Sequence, residues 1–321
     1  MNIQTYLQRL YAHSDGTAPD LQTRPTPSYA LLAELQMRHM LTIPFENLSV
    51  VWQEPIVLDE VLLYEKVIAS QDLVGKEVGK QRGGFCYELN GLFSWLLRQF
   101  GFRVDRVAAR VYNAETKTYG HPFDHLTLIV HLPTAQPSEP ASASDQPIQQ
   151  NEGYLYERYL VDVGFGDSVR SPLKLPERTP EKTYTSGPCG PKVQDVSGCY
   201  RLRAENDGQA VPETLIYERY MPEKSLWQPQ FLLTTEPREL SDYEEGCYYH
   251  QTSPDSTFTQ RTVCTKATLD GRITLSATHL TTTHFTTTRG NEKKRIEITS
   301  PDEFAELLKR HFDIEHCAIN A

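Results

Sequence analysis

Leu89, Phe93, Leu96, Leu97 and Phe100 recur at three- and four-residue steps and stop at Gly101, which predicts a helix with an apolar stripe and a glycine end. Tyr29 to His39 and Leu58 to Ser70 carry similar periodicity, so residues 1–101 read as a helical domain that closes with the first helix named. The pattern then changes. Asp124 to Leu132 alternates, with Leu126, Leu128 and Val130 on one face and His125, Thr127, Ile129 and His131 on the other. Tyr154 to Val163 predicts a second strand, and strands separated by proline-rich loops run on to about Gln230, which suggests a β-barrel over 102–230. From 231 to 321, strands at Cys264–Ala267, Ile273–Ala277 and Lys294–Ile298 lead to a closing helix. Its start is marked by Ser300 as N-cap, Pro301 and Glu303. The β-prone run Thr281–Thr288 lies among these strands. The class is α+β.

The candidate chemistry sits where these elements begin and end. Arg82-Gly83-Gly84-Phe85-Cys86-Tyr87-Glu88-Leu89-Asn90 delivers Cys86 to the first turn of the periodic helix. Unpaired N–H groups there favour thiolate over thiol. Gly83 and Gly84 offer positive φ and no Cβ, which would let a substrate approach the sulfur. The bland alternative is a buried cysteine acting as a small hydrophobe. His125 begins its strand, where a side chain can leave the sheet for a cleft, and is preferred over His131 as the base. Asp162 is an acid inside an apolar strand end, and an imidazole N–H is a fitting partner for it. The competing reading is a residue that caps its own turn. Gly164-Phe165-Gly166 would then place Phe165 over a pocket. Cysteine, histidine and acid in this order form the thiol version of a catalytic triad. His39 reads as structural.

On these residues the chain resembles the arylamine N-acetyltransferase family. Arg82–Asn90 is similar to that family's cysteine signature, the His125 strand to its histidine strand, and Val161-Asp162-Val163-Gly164-Phe165-Gly166 to its aspartate motif. Ile43–Leu48 and Gln251–Phe258 resemble two further markers. The resemblance implies a papain-like cysteine-triad fold with an N-terminal helical bundle, a β-barrel and a C-terminal α/β lid. It implies ping-pong transfer of an acyl group from acetyl-coenzyme A, through a thioester on Cys86, to an aromatic amine or hydrazine, as in the metabolism of foreign compounds. His125 and Asp162 would complete the triad, with the Cys86 backbone N–H as oxyanion donor. Phe123, Phe165 and Gly164 would line the acyl and amine pocket, Arg82 would anchor the site beside Gly83 and Gly84, and Thr252, Ser253, Ser256 and Thr257 would face coenzyme A. Some fungal relatives use malonyl-coenzyme A, which needs a cation or strong donors for the extra carboxylate.

Departures from the family pattern are the polar stretch Pro133–Glu152, read as a long flexible hairpin loop, and the proline-rich Pro172–Gly198, read as an irregular loop near the site. Both fit the longer, fungal-type members. No match to the vertebrate C-terminal tail follows His316-Cys317.

Charge and cysteine usage narrow the partners. Lys plus Arg is 32 against 42 for Asp plus Glu in 321 residues, a net charge of −10. No basic stripe interleaved with aromatics points to nucleic acid. No apolar run approaches the ~20 residues that span a bilayer, and the amino terminus lacks a signal pattern. Cysteines at 86, 189, 199, 247, 264 and 317 form no CxxC pair, so no disulfide framework is expected. Cys247–His250 and His311–Cys317 contain possible ligands without a complementary pair, so no metal is expected. No tightly bound cofactor and no protein partner are implied, and the expected location is cytosolic. Two other classes share the pattern: a papain- or transglutaminase-like hydrolase, although the local papain signature is absent, and an inactive scaffold.

Overall fold

A computed structural model describes residues 1–12, 16–21, 25–68, 81–134, 156–176, 189–205, 213–286 and 290–315. Most of the stretch 133–152, residues 177–188 of the second loop, and His316-Cys317 lie outside the described residues.

The helical part forms where the sequence supplies caps. Asn2 Oδ1 accepts from Gln4 and Thr5 N–H at the start of Ile3–Tyr11, a helix the periodicity did not reveal. Ser28 caps Tyr29–Thr42, and Asp59 Oδ1 accepts from Val61 and Leu62 N–H to open Glu60–Val67. These helices enclose Cys86–Gln99, the cysteine helix, which is buried along most of its length and ends at Gly101 with φ +83.

All ladders of the large sheet are antiparallel. Its nine strands follow the path Leu173–Lys174, Tyr156–Val161, His125–Pro133, Arg103–Asn113, Leu226–Arg238, Thr214–Met221, Gly198–Ala204 and Val193–Asp195, with Thr118–Tyr119 paired off the path to Arg103–Asn113. The two edges come together at Gly190: its N–H donates to Leu202 O at 2.8 Å, and a Cβ on it would lie 2.6 Å from Lys174 O. The sheet is thereby almost closed into a barrel. The expected boundary at 230/231 falls inside Leu226–Arg238. This strand pairs with both Arg103–Asn113 and Thr214–Met221, so it belongs to the barrel. Register shifts beside Pro229 and Pro237, which have no N–H for the ladder, explain why its pattern does not read as one strand.

The alternation in the histidine strand has two destinations. Leu126, Leu128, Val130 and Leu132 pack with Phe85, Leu89, Phe93 and Leu97 of the helical core, while Ile129 packs inside the barrel with Val107, Leu160 and Phe231. The barrel wall is thus buried on both sides, and the cysteine helix lies against its outer face.

A second antiparallel sheet orders Phe45–Glu46, Val263–Thr268, Gly271–Ser276, His279–Thr286 and Gly290–Glu297. The helix Pro301–Phe312 covers it through Leu308 and Phe312, which pack with Cys264, Leu275 and Leu280. Ser300 Oγ caps this helix as the sequence suggested, whereas Glu303 Oε2 accepts from Thr299 N–H, one residue before the cap. The Ile43–Leu48 marker joins this sheet to the cysteine loop: Glu46 pairs with Cys264, and its N–H donates to Gly84 O at 2.9 Å. Among the described residues no helix is long and apolar enough to cross a membrane.

Candidate active site

Three elements meet at Cys86. The cysteine helix begins with it, the histidine strand begins with His125, and the ladder between Tyr156–Val161 and the histidine strand ends at Leu128–Val161, one residue before Asp162. His125 Nε2 lies 2.6 Å from Asp162 Oδ2, and the Cys86 side chain acts on the same imidazole, favouring its charged form. With Nε2 taken by the carboxylate, Nδ1 is the nitrogen left for the sulfur. The three residues are 3%, 2% and 1% exposed, so their mutual interactions act largely away from water.

Burial opposes charge on the imidazole, yet Asp162 and the Cys86 sulfur outweigh it and hold the His125 pKa up at about 10. Burial likewise penalises the Asp162 carboxylate. His125 and hydrogen bonds from Asn90 Nδ2 and Gly164 N–H overcome that penalty and keep its pKa below the ordinary aspartate value. Phe85, the N-cap of the cysteine helix, has no side-chain acceptor for the first turn, so the N–H groups at Cys86 are not consumed by a cap.

The site opens into a cleft of about 800 Å³. Cys86, His125, Gly164 and Phe165 form its floor with Phe45. The hairpin from Val111 to His121 forms one wall, and Tyr249, His250 and Asp255–Phe258 with Arg261 form the other. Phe165 stands 5.2 Å from His125 and 5.0 Å from Phe231, ring centre to ring centre. Asn47 steadies the second wall: its Nδ2 donates to Phe258 O and Arg261 O, and its Oδ1 accepts from Val263 N–H. His250 ties that wall to the histidine strand, with Nδ1 at 3.0 Å from Ser256 Oγ and Nε2 at 3.1 Å from Asp124 Oδ1.

Several expected roles change in the structure. Neither Gly83 nor Gly84 has positive φ. A Cβ at Gly83 would lie 1.9 Å from Pro44 O and one at Gly84 2.5 Å from Glu88 Oε2, so both glycines serve internal packing rather than substrate approach. Gly164 stays on the cleft floor, where a built Cβ would lie 2.8 Å from Cys86 Cα and leave no room for a side chain. Phe123 is not among the residues lining the cleft. Its φ is +59, its carbonyl accepts from Tyr87 Oη at 2.7 Å, and its ring lies 5.4 Å from Tyr243 beneath the Arg238 guanidinium. Thr252 and Ser253 do not line the cleft either: Thr252 Oγ1 donates to Tyr248 O, and Ser253 Oγ accepts from Asp255 N–H. Ser256 and Thr257 do line it, but Ser256 is 2% exposed and its hydroxyl is engaged by His250 and Phe258 N–H.

Arg82 is an anchor. Its guanidinium grips Glu46 through Nε and a terminal nitrogen, reaches Glu54 at 3.0 Å, and lies 4.4 Å over the Trp52 ring. Asn90, His250, Arg261 and the hairpin wall were given no role from sequence. Asn90 stands in the cysteine signature one helical turn after Cys86, and His250 immediately precedes the Gln251–Phe258 marker, so position alone marked both. Nothing in the hairpin's residues marks it. Among the described residues no three His, Cys, Asp or Glu side chains gather as metal ligands.

The chain matches the N-acetyltransferase family over residues 28–136 and 152–318. The pineal-gland arylamine N-acetyltransferase isozyme NAT-3 of Gallus gallus is 28% identical over 98% of this chain and 94% of its own length. The arylamine N-acetyltransferase of Mycolicibacterium smegmatis is 29% identical over 92% of this chain and 88% of its own. A solved M. smegmatis arylamine N-acetyltransferase superposes with a TM-score of 0.70 at 27% identity, covering 98% of this chain and 93% of that one. A Bacillus cereus arylamine N-acetyltransferase, 22% identical over 98% of this chain and 100% of that one, shares the fold at a TM-score of 0.71 and is described as having a Cys-His-Glu triad. The present chain has aspartate at 162 instead. With its cysteine, histidine and carboxylate gathered on the papain-like fold and the match running across all three, the chain belongs to the arylamine N-acetyltransferase family and is an acyltransferase.

Proposed function

We propose that this enzyme transfers an acetyl group from acetyl-coenzyme A to aromatic amines or hydrazines by a ping-pong reaction through a thioester on Cys86. The observation that carries the reading is the buried chain of contacts from Cys86 through His125 to Asp162, opening on an aromatic-walled cleft. In the first half-reaction the Cys86 sulfur attacks the thioester carbonyl. The new S–C bond forms as coenzyme A leaves with the imidazolium proton. In the second, the amine nitrogen attacks the acyl-cysteine carbonyl, gives its proton to His125 and expels the Cys86 thiolate. Asp162 fixes the ring and supports its charge in the thiolate–imidazolium state. The Cys86 N–H, at the helix start, is the donor for the developing oxyanion. Phe165 lies where an aromatic acceptor would stack, and Thr257 lies on the wall that coenzyme A would pass. Among the described residues the cysteines are free thiols, which supports a cytosolic setting.

Incubation with acetyl-coenzyme A, with and without aniline, tests the reading. Acetanilide that forms only when aniline is present is the expected result. Release of acetate alone, whatever amine is offered, would identify a hydrolase. Free-thiol release from acetyl-, propionyl- and malonyl-coenzyme A ranks the donors.

A further inference from the structure

Asn90 is fully buried, one helical turn beyond Cys86, and its amide reaches both strands that carry the rest of the site. Nδ2 donates to Leu126 O at 2.7 Å and to Asp162 Oδ1 at 3.0 Å, while Oδ1 accepts from Val163 N–H at 2.9 Å. This orientation is the one the surroundings permit. A flipped amide would set its oxygen against two acceptors and its NH₂ against an N–H. The bonded backbone groups belong to the neighbours of His125 and Asp162, so a single side chain pins the residue after each. Asp162 Oδ2 is taken by His125, and Oδ1 is held by Asn90 and Gly164 N–H. Among the described residues, Asn90 is therefore the side chain besides His125 that hydrogen-bonds this carboxylate. The fit leaves no slack, because a Cβ on Gly164 would come within 2.8 Å of Asn90 Nδ2.

We propose that Asn90 is a positioning residue for acyl transfer, holding the Asp162 carboxylate and the His125 strand in register with the Cys86 sulfur on its own helix. The inference rests on the function proposed above for its meaning in catalysis, but it concerns the state of the Cys86–His125 pair, which can be read without any acyl donor. Loss of the amide leaves Leu126 O and Val163 N–H unpaired and removes one of two donors from Asp162 Oδ1. The carboxylate is then free to turn out of line with the imidazole, and Cys86, whose reactivity depends on that alignment, alkylates more slowly.

The test measures the rate of Cys86 alkylation by iodoacetamide against pH in the unaltered enzyme and in Asn90→Ala, with melting temperature recorded beside it. A hydrogen bond to a charged group is at stake, so the expected result is a rate at pH 7 lower by about tenfold or more, with the pH profile displaced toward higher pH. Acetyl transfer, where present, should fall in parallel through kcat rather than KM. Asn90→Ser keeps a hydroxyl donor in a smaller volume. It should lie between the two, and it carries the test if Asn90→Ala does not fold. An unchanged alkylation profile in either folded variant, with only the melting temperature lowered, would reduce Asn90 to a structural staple and overturn the inference. Should alkylation depend on Asn90 while the unaltered enzyme makes no anilide, the proposed function fails and this inference stands.

Discussion

His125 and Asp162 meet at 2.6 Å with both side chains almost wholly buried, and this pairing makes the fold sensitive to alkali. The His125 pKa stands at about 10 in the folded protein against an ordinary 6.5. Its contribution to stability is complete below 6.5 and is lost as pH rises through about 10. Asp162 is shifted downward, so its contribution is present above the ordinary aspartate range and fades as acid protonates it. Melting temperature against pH should fall on the alkaline side between 6.5 and 10. Asp162→Asn should flatten that fall, and an equally steep decline in the variant would place its origin elsewhere.

His39 should set the acid side. Among the described residues neither ring nitrogen has a hydrogen-bond partner, the rings of Tyr6 and Phe93 pack against it, and burial, reinforced by Arg9, pushes its pKa down to about 3. The folded state holds this imidazole neutral while the unfolded chain takes up a proton below 6.5. Stability is thus present above 6.5 and is lost as pH drops toward 3, by on the order of 1 kcal/mol per pH unit. In His39→Leu that slope should diminish, with little cost at pH 7 because no hydrogen bond is surrendered. Urea titrations at pH 7 and pH 5 check this, and an unchanged difference between the two pH values would count against it.

Arg82 and Glu46 form a pair whose breaking should be costly. Glu46 is 1% exposed, and Arg82→Ala would leave its carboxylate without the guanidinium that neutralises it. The expected loss is about 3–5 kcal/mol by urea unfolding. Arg82→Lys should recover only part of it, since an ammonium cannot reproduce the two-nitrogen grip. A loss below about 1 kcal/mol for the alanine variant would contradict the anchoring role.

Cys86→Ala and Asp162→Ala should separate chemistry from structure. The first removes one sulfur at a helix start and should fold nearly as well as the parent while transferring no acyl group. The second orphans a buried imidazole and the donors of Asn90 and Gly164, so soluble yield and activity should both fall. Soluble, active Asp162→Ala enzyme would refute the carboxylate's part.

The elements that carry the site were readable because each announces itself locally. Periodicity and Gly101 marked the cysteine helix, and alternation marked the His125 strand. The acid in an apolar strand end marked Asp162. Of the cleft walls, the segment 255–258 lies within the Gln251–Phe258 family marker, whereas the hairpin wall was not readable, since it depends on which distant segments meet. The hairpin at 111–121 is tied in through Val111 N–H, which donates to Asp124 Oδ2, and Asp124 in turn meets His250 beside the wall at 255–261, which Asn47 braces at Arg261 O. Phe123 was misplaced for the same reason: its left-handed backbone and its contacts with Tyr87, Tyr243 and Arg238 are tertiary facts. The strand Leu226–Arg238 was cut at 230 because prolines at 229 and 237 mimic loop punctuation, while the bulges that accommodate them are visible only in the paired sheet.

Intact-protein mass spectrometry after brief exposure to acetyl-coenzyme A tests the central claim most directly. One added acetyl group, mapped to Cys86 and discharged as acetanilide when aniline is supplied, is the expected result. An enzyme that turns over acetyl-coenzyme A and aniline yet never carries acetyl on Cys86, or carries it elsewhere, would contradict the account.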